Sequence, residues 1–236
     1  MEFIPSREEP ARVEDARFID SPFVEVVSGD VFAVEMRYPV LGMKNSESQC
    51  FVRREVYDRL VKAAQYLPNG FRLKVWDAWR PFALQEELFY RYSDDVIKEF
   101  GLEDCTDDQK QSVIKKFVSE PIEDRDVPPV HTTGGAVDVT IVDSDGRELE
   151  MGTKFDAFSD RTYTAYFENG ENKLVRDNRR LLYSAMTKAG FTNLPSEWWH
   201  FDYGDRFWAY YSGEPAIYRG VFTKKVLTID KCRERR

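Results

Sequence analysis

Two histidines, His131 and His200, are the whole imidazole supply of this chain. Any chemistry that needs imidazole must run through them. The first opens the stretch His131-Thr-Thr-Gly-Gly-Ala-Val-Asp138, and the second closes Glu197-Trp198-Trp199-His200. Two imidazoles and one carboxylate are a ligand set for catalytic zinc that leaves one position for water. A further carboxylate beside that water would act as general base. Imidazole suits zinc, so His200 is the expected ligand of the second group and Glu197 the expected base. Asp138 lies between the apolar Val137 and Val139, and a buried charge needs a partner. A metal, an arginine or a backbone cap would each serve. Arg80 in Asp77-Ala-Trp-Arg80-Pro81 is a third element. A guanidinium fixed beside a developing oxyanion supplies on the order of 3 kcal/mol.

Each of these residues also has an ordinary reading. His131 alone is a polar loop residue, and His200 among aromatics is a core hydrogen-bonder. Asp138 is a buried pair member and Arg80 a salt bridge. Their joint occurrence in a histidine-poor chain is what points to a metal hydrolase.

Spacing states what the scaffold must do. Gly134-Gly135 allows a sharp turn from the His131 loop into a strand over Ala136 to Val142. Glu197 and His200 are three apart and would face opposite ways in a regular strand. Pro195 to Glu197 is therefore expected to turn, ahead of a strand over Trp198 to Tyr203. Arg80 follows an alternating strand, Phe71 to Val75, and precedes a helix with Leu84, Leu88 and Phe89 inward. Helical periodicity also marks Glu55 to Leu67, Asp107 to Val118, and Leu174 to Ala189 with Leu174, Leu181, Leu182, Ala185 and Ala189 on its apolar face. Phe23 to Val27 and Val31 to Tyr38 read as strands around a Ser28-Gly29-Asp30 turn, and Phe207 to Phe222 as one more strand. Gly42 to Gln49, Ser119 to Thr133 and Glu148 to Glu171 read as loops. Helices and strands mix without βαβ alternation. The expectation is one α+β domain over 23–236, with a central, largely antiparallel sheet flanked by helices, preceded by an extended arm over 1–22.

Composition narrows the class. At 236 residues, with 42% apolar and 14% aromatic side chains, the chain has ample material for a core. Lys and Arg number 34 against 42 Asp and Glu, a net charge of −8, so the basic face that nucleic-acid binding needs is not expected. No apolar run approaches the roughly 18 residues of a membrane span. The charged N-terminus has no signal-like apolar region. Cys50, Cys105 and Cys232 are widely spaced and odd in number, which fits reduced thiols rather than a disulfide framework. A cytoplasmic protein is expected, with a basic solvated tail around Cys232.

At this level of detail the motifs resemble the zinc D-alanyl-D-alanine dipeptidases, the type found in vancomycin resistance, and the related zinc D,D-carboxypeptidases. His131-TTGGAV-Asp138-VTI is similar to that family's His-x-x-Gly-x-Ala-x-Asp-hydrophobic-Thr motif. Trp76-DAW-Arg80-Pro81 is similar to Trp-Asp-x-Tyr-Arg-Pro, with Trp79 in the Tyr place. Met151-GTKF-Asp156, Asn178-Arg179-Arg180 and Glu197-Trp198-Trp199-His200 also match, all in family order between Arg37 and Tyr203. The resemblance implies one zinc ion per chain on His131, Asp138 and His200. It implies Glu197 as base and then acid, and Arg80 against the oxyanion. Asp156 and Tyr38 would hold the free amino group of a small dipeptide, most simply D-Ala-D-Ala. The departures are Pro129, where relatives usually carry Ser, the stretch Leu41 to Gln49, and the longer arm. All three bear on which peptide is cut. A D,D- or L,D-carboxypeptidase acting on peptidoglycan peptides would need no anion for the amino group. A non-catalytic zinc or ligand-binding module on the same fold would usually lack the base or the arginine, and both are present.

Overall fold

The alternation in Ala136–Val142 organises the molecule. In the computed structural model, which describes residues 2–11 and 13–230, this strand has those bounds and is buried along its whole length. The basic C-terminal cluster with Cys232 lies outside the described residues. In chain order the strands are β1 (Phe23–Val26), β2 (Phe32–Val34), β3 (Cys50–Arg53), β4 (Arg72–Asp77), β5 (Ala136–Val142), β6 (Thr192–Asn193) and β7 (His200–Asp202). The helices are α1 (Arg37–Val40), α2 (Arg54–Ala64), α3 (Phe82–Glu99), α4 (Asp107–Ile114), α5 (Lys173–Lys188) and α6 (Arg206–Ser212).

The main sheet runs β2-β4-β5-β7-β6. Only the β2–β4 pair is parallel, and the rest are antiparallel. β1 and β3 form a separate antiparallel pair. The fold is thus α+β with a largely antiparallel sheet. Val137, Val139 and Ile141 of β5 join Leu73, Val75 and Phe201 in the main core, together with Val56 and Leu60 of α2 and Leu182 and Met186 of α5. Asp138 and Thr140 alternate with them and face the other way. Among the described residues, no helix is long and apolar enough to cross a membrane.

Several expectations are corrected. Phe23 to Val27 and Val31 to Tyr38 do not form a hairpin. β1 pairs with β3, β2 pairs with β4, and the chain leaves the sheet after Val34. Tyr38 therefore lies in the one-turn helix α1. The pairing of β1 uses Cys50–Arg53, a strand the sequence reading did not assign. Phe207 to Phe222 is not a strand. Asp205 caps α6 by accepting from the Phe207 and Trp208 amides, and Gly213, at φ 75°, ends it. Trp198 and Trp199 precede β7 rather than belong to it. Leu174 is 64% exposed, because Val175 and Arg179 share the inward face with Leu182, Ala185 and Met186.

The segment before β1 lies against the body. Ile4 is 1% exposed, the Arg17 amide donates to the Ala216 carbonyl at 2.8 Å, and the Ile19 amide donates to that of Ile217 at 3.0 Å. Cys50 is buried and Cys105 half-buried, and both are free thiols.

A buried arginine ties the long segment between β5 and α5 to the helix. Arg179 is 1% exposed and donates to the carbonyls of Met151, Tyr163 and Arg161 at 2.8, 2.7 and 2.8 Å. Its guanidinium also lies 4.7 Å from the centre of the Phe167 ring. Each of the three carbonyls loses a donor if it is removed, although that of Tyr163 still accepts from the Tyr166 amide at 2.9 Å. Arg179→Met is expected to lower unfolding stability by about 3 kcal/mol, measured by urea titration. A change within about 0.5 kcal/mol would mean the segment is held by other contacts.

Candidate active site and metal centre

Strand register brings the second histidine to the first carboxylate. Asp138 of β5 stands directly opposite His200 of β7. On its other side it stands opposite Asp77 of β4, where a register shift between Val75 and Asp77 gives β4 one extra residue. Asp77, Asp138 and His200 thus form one row across three strands. His131 arrives from a short 3-10 turn, Val130–Thr133, ended by Gly134 at φ 74°. A Cβ on Gly134 would stand 2.4 Å from the Phe23 ring, so only glycine fits. The turn expected before His200 is present: the Glu197 amide donates to the Leu194 carbonyl at 3.1 Å and the His200 amide to that of Glu197 at 3.2 Å. It leaves the Glu197 carboxylate 3.7 Å from His200 Nδ1.

Each imidazole has one nitrogen committed to the protein. His131 Nδ1 donates to the Ala78 carbonyl at 2.9 Å, and His200 Nε2 donates to Asp202 Oδ1 at 2.7 Å. When both rings are neutral, as metal binding requires, the remaining nitrogens, His131 Nε2 and His200 Nδ1, present lone pairs to each other at 3.2 Å. Asp138 Oδ1 lies 3.5 Å from the first and 3.2 Å from the second. It is buried and accepts no well-directed hydrogen bond. Three electron-rich atoms at this spacing repel unless a cation sits among them. The edge of a tetrahedron with zinc–ligand bonds of about 2.0–2.1 Å is about 3.3–3.4 Å. The donor set therefore fits zinc, with both histidines oriented by partners on their far nitrogens.

The electrostatics agree. Burial works against a charged His200, but the Asp202 and Asp138 carboxylates outweigh it and hold its pKa well above the usual imidazole range. Burial also opposes ionisation of Asp138, yet the neighbouring imidazoles hold its pKa below the ordinary carboxylate range. The pocket favours positive charge at this point. Glu197 is pushed up to about 8, first by burial and then by the nearby Asp138 and Asp156 charges.

Arg80 is locked. Its Nε and Nη2 donate to Asp77 Oδ2 at 2.9 and 2.8 Å, Nη1 to Gln85 Oε1 at 2.7 Å, and Nη2 also to the Tyr38 hydroxyl at 3.2 Å. Its charge stands 3.9 Å from Asp138 Oδ2. Beyond it, the Tyr38 hydroxyl donates to Asp156 Oδ2 at 3.1 Å. Asp156 is pushed up to about 7 by burial and by the Asp138 charge. Two adjoining cavities, of about 60 and 40 Å³, share Tyr92, Phe117, Asp156 and Glu197 as walls. Tyr38, Arg80, His131, Asp138 and His200 line the larger one. All seven residues singled out in the sequence thus meet at one place.

Four residues that matter here were not singled out. Asp77 lies inside the Trp76–Pro81 motif, but only Arg80 was given a role. Asp202 follows His200 by two positions, so strand alternation already put it on the same face. Gln85 shares the Leu88 face of α3, which could have flagged a buried polar partner. Tyr92, which donates to Asp156 Oδ2 at 2.8 Å, left no signal in the sequence beyond its helix.

Comparison with known proteins gives a consistent answer. The family Peptidase_M15, described as D-ala-D-ala dipeptidase, matches residues 32–214. A D-alanyl-D-alanine dipeptidase of Synechocystis sp. is 31% identical over 176 residues, 67% of this chain and 71% of that protein. Proteins of the same name from Escherichia coli and Enterococcus faecium are each 29% identical, over 157 and 158 residues. These alignments cover 66% and 62% of this chain, and 68% and 70% of the relatives. The zinc complex of the vancomycin resistance D,D-pentapeptidase VanY overlays at a TM-score of 0.40 and 16% identity, covering 73% of this chain and 85% of that one, too loosely to argue from. The match over most of the chain settles the relationship: this protein belongs to the D-Ala-D-Ala dipeptidase family of metallopeptidases.

Proposed function

We propose that the chain hydrolyses a small free dipeptide, D-Ala-D-Ala, with one zinc ion held by His131, Asp138 and His200. The observation that carries this reading is the company Asp156 keeps. A half-buried carboxylate suited to an ammonium lines the same small cavity as Glu197, Arg80 and the three convergent donors. The names of the curated relatives support the same substrate.

Zinc, when bound, supplies Lewis-acid polarisation of water and of the substrate carbonyl. The protein does the rest. Asp156, steadied by the Tyr38 hydroxyl, accepts from the ammonium and sets where the peptide bond falls. Glu197 takes a proton from the attacking water as its oxygen bonds to the carbonyl carbon. Its raised proton affinity suits that task. Arg80, fixed by Asp77 and Gln85, faces the negative charge that builds on the carbonyl oxygen without reorganising. Glu197 then passes its proton to the leaving amine as the C–N bond breaks. The small size of the cavity suits a small peptide rather than a folded chain.

Glu197→Gln is expected to retain zinc while turnover of D-Ala-D-Ala falls by about 10²–10⁴. His200→Ala is expected to lose the metal, read by atomic absorption after gel filtration. Full activity in Glu197→Gln would sink the mechanism. Alanine release should be chelator-sensitive for D-Ala-D-Ala and absent for its N-acetyl form, whereas cleavage of the acetylated form alone would favour the carboxypeptidase reading. Asp156 sits near about 7 and is anionic only above that value. Affinity for the cationic dipeptide should therefore tighten as pH rises through about 7. Tyr38, Tyr92, Arg80, Asp138 and Glu197 are the charged or titratable groups acting on it. A flat KM profile across this range, or one unchanged in Asp156→Asn, would contradict that assignment.

A further inference from the structure

We propose that Tyr92 is a direct ligand of the substrate ammonium, its phenolic oxygen accepting one N–H beside Asp156. This inference rests on the dipeptidase reading and adds a residue to its amine end.

The argument is an inventory of donors and lone pairs. Tyr38 and Tyr92 both donate to Asp156 Oδ2, at 3.1 and 2.8 Å. Among the described residues none donates to Asp156 Oδ1, so that oxygen is free for a ligand. A tyrosine hydroxyl has one donor hydrogen and two acceptor lone pairs. Tyr38 uses its hydrogen on Asp156 and accepts from Arg80 Nη2 at 3.2 Å. Tyr92 uses its hydrogen on Asp156, and among the described residues no group donates to its oxygen. An ammonium has three N–H donors and needs several acceptors at one point. Asp156 Oδ1 and the Tyr92 oxygen, which lies 2.8 Å from the other oxygen of the same carboxylate, offer two. An acylated nitrogen has a single N–H, so the pair distinguishes a free from a blocked N-terminus.

The placement is rigid. The Tyr92 ring packs edge-on against Phe158, with centroids 5.5 Å apart at 80°. Asp156 has φ 55°, the one positive value among the described non-glycine residues. Such a conformation persists where the surroundings hold it and concentrates at ligand-binding positions. Tyr92 and Asp156 also line both cavities.

The test is binding, measured by calorimetry on zinc-loaded Glu197→Gln protein, so that turnover plays no part. Tyr92→Phe keeps the ring against Phe158 and removes only the hydroxyl. It should weaken D-Ala-D-Ala about tenfold and leave the des-amino analogue, propionyl-D-Ala, unchanged. In an Asp156→Asn background, Tyr92→Phe should still weaken the dipeptide several-fold, because a direct ligand acts without Asp156. Unchanged affinity in Tyr92→Phe, or an effect that vanishes with Asp156, would overturn the proposal and leave the dipeptidase reading intact. Failure of the unsubstituted tyrosine protein to bind any dipeptide would overturn both.

Discussion

One strand register underlies the site. Asp138 faces His200 only because β5 and β7 pair as they do. A slip of one residue would bring Phe201 to the metal side and send His200 into the core. The apolar residues prevent this. Val137, Val139, Ile141 and Phe201 are fully buried on the opposite face. Burying each is worth about 1.5–3 kcal/mol. Exposing the set on a polar face would consume much of a typical domain stability of about 5–15 kcal/mol. The core thus fixes the geometry of the His131, Asp138 and His200 cluster.

A second constraint is charge. Asp77, Asp138, Asp156 and Glu197 gather around Arg80, whose guanidinium is bound to Asp77, while Asp202 pairs with His200 behind them. Together with burial, the mutual repulsion is visible in the upward shifts at Asp156 and Glu197. It also makes the pocket receptive to positive charge at two separate points. One is the convergence of His131, Asp138 and His200, and the other is Asp156. A metal ion and an ammonium ion bound there would relieve the same electrostatic crowding from opposite ends.

Much of this was legible in the sequence. The convergence of His131, Asp138, His200 and Glu197 stood out because histidine is rare here, and their spacing demanded a turn before His200. The β5 strand was written in its alternation. What could not be read were features set by distant pairing. Cys50–Arg53 forms a strand because β1 lies beside it, and the short run carries no periodicity of its own. The aromatic residues after Asp205 looked β-forming, yet a capping carboxylate and a left-handed glycine made them a helix. Leu174 was misplaced by one position because a buried arginine, Arg179, occupies the inward face that apolar counting reserves for hydrocarbons. Its reason for being there, three carbonyls of a distant loop, is tertiary.

The amine end is built from separate stretches: Tyr38 on α1, Tyr92 on α3, and Asp156 on the segment anchored by Arg179 of α5. For protein engineering this makes specificity a property of an assembly rather than of a loop. Transplanting the segment around Asp156 into a relative would carry the carboxylate but not the hydroxyls that hold it or the arginine that fixes its backbone. Exchange of substrate preference between relatives would require moving these dispersed positions together.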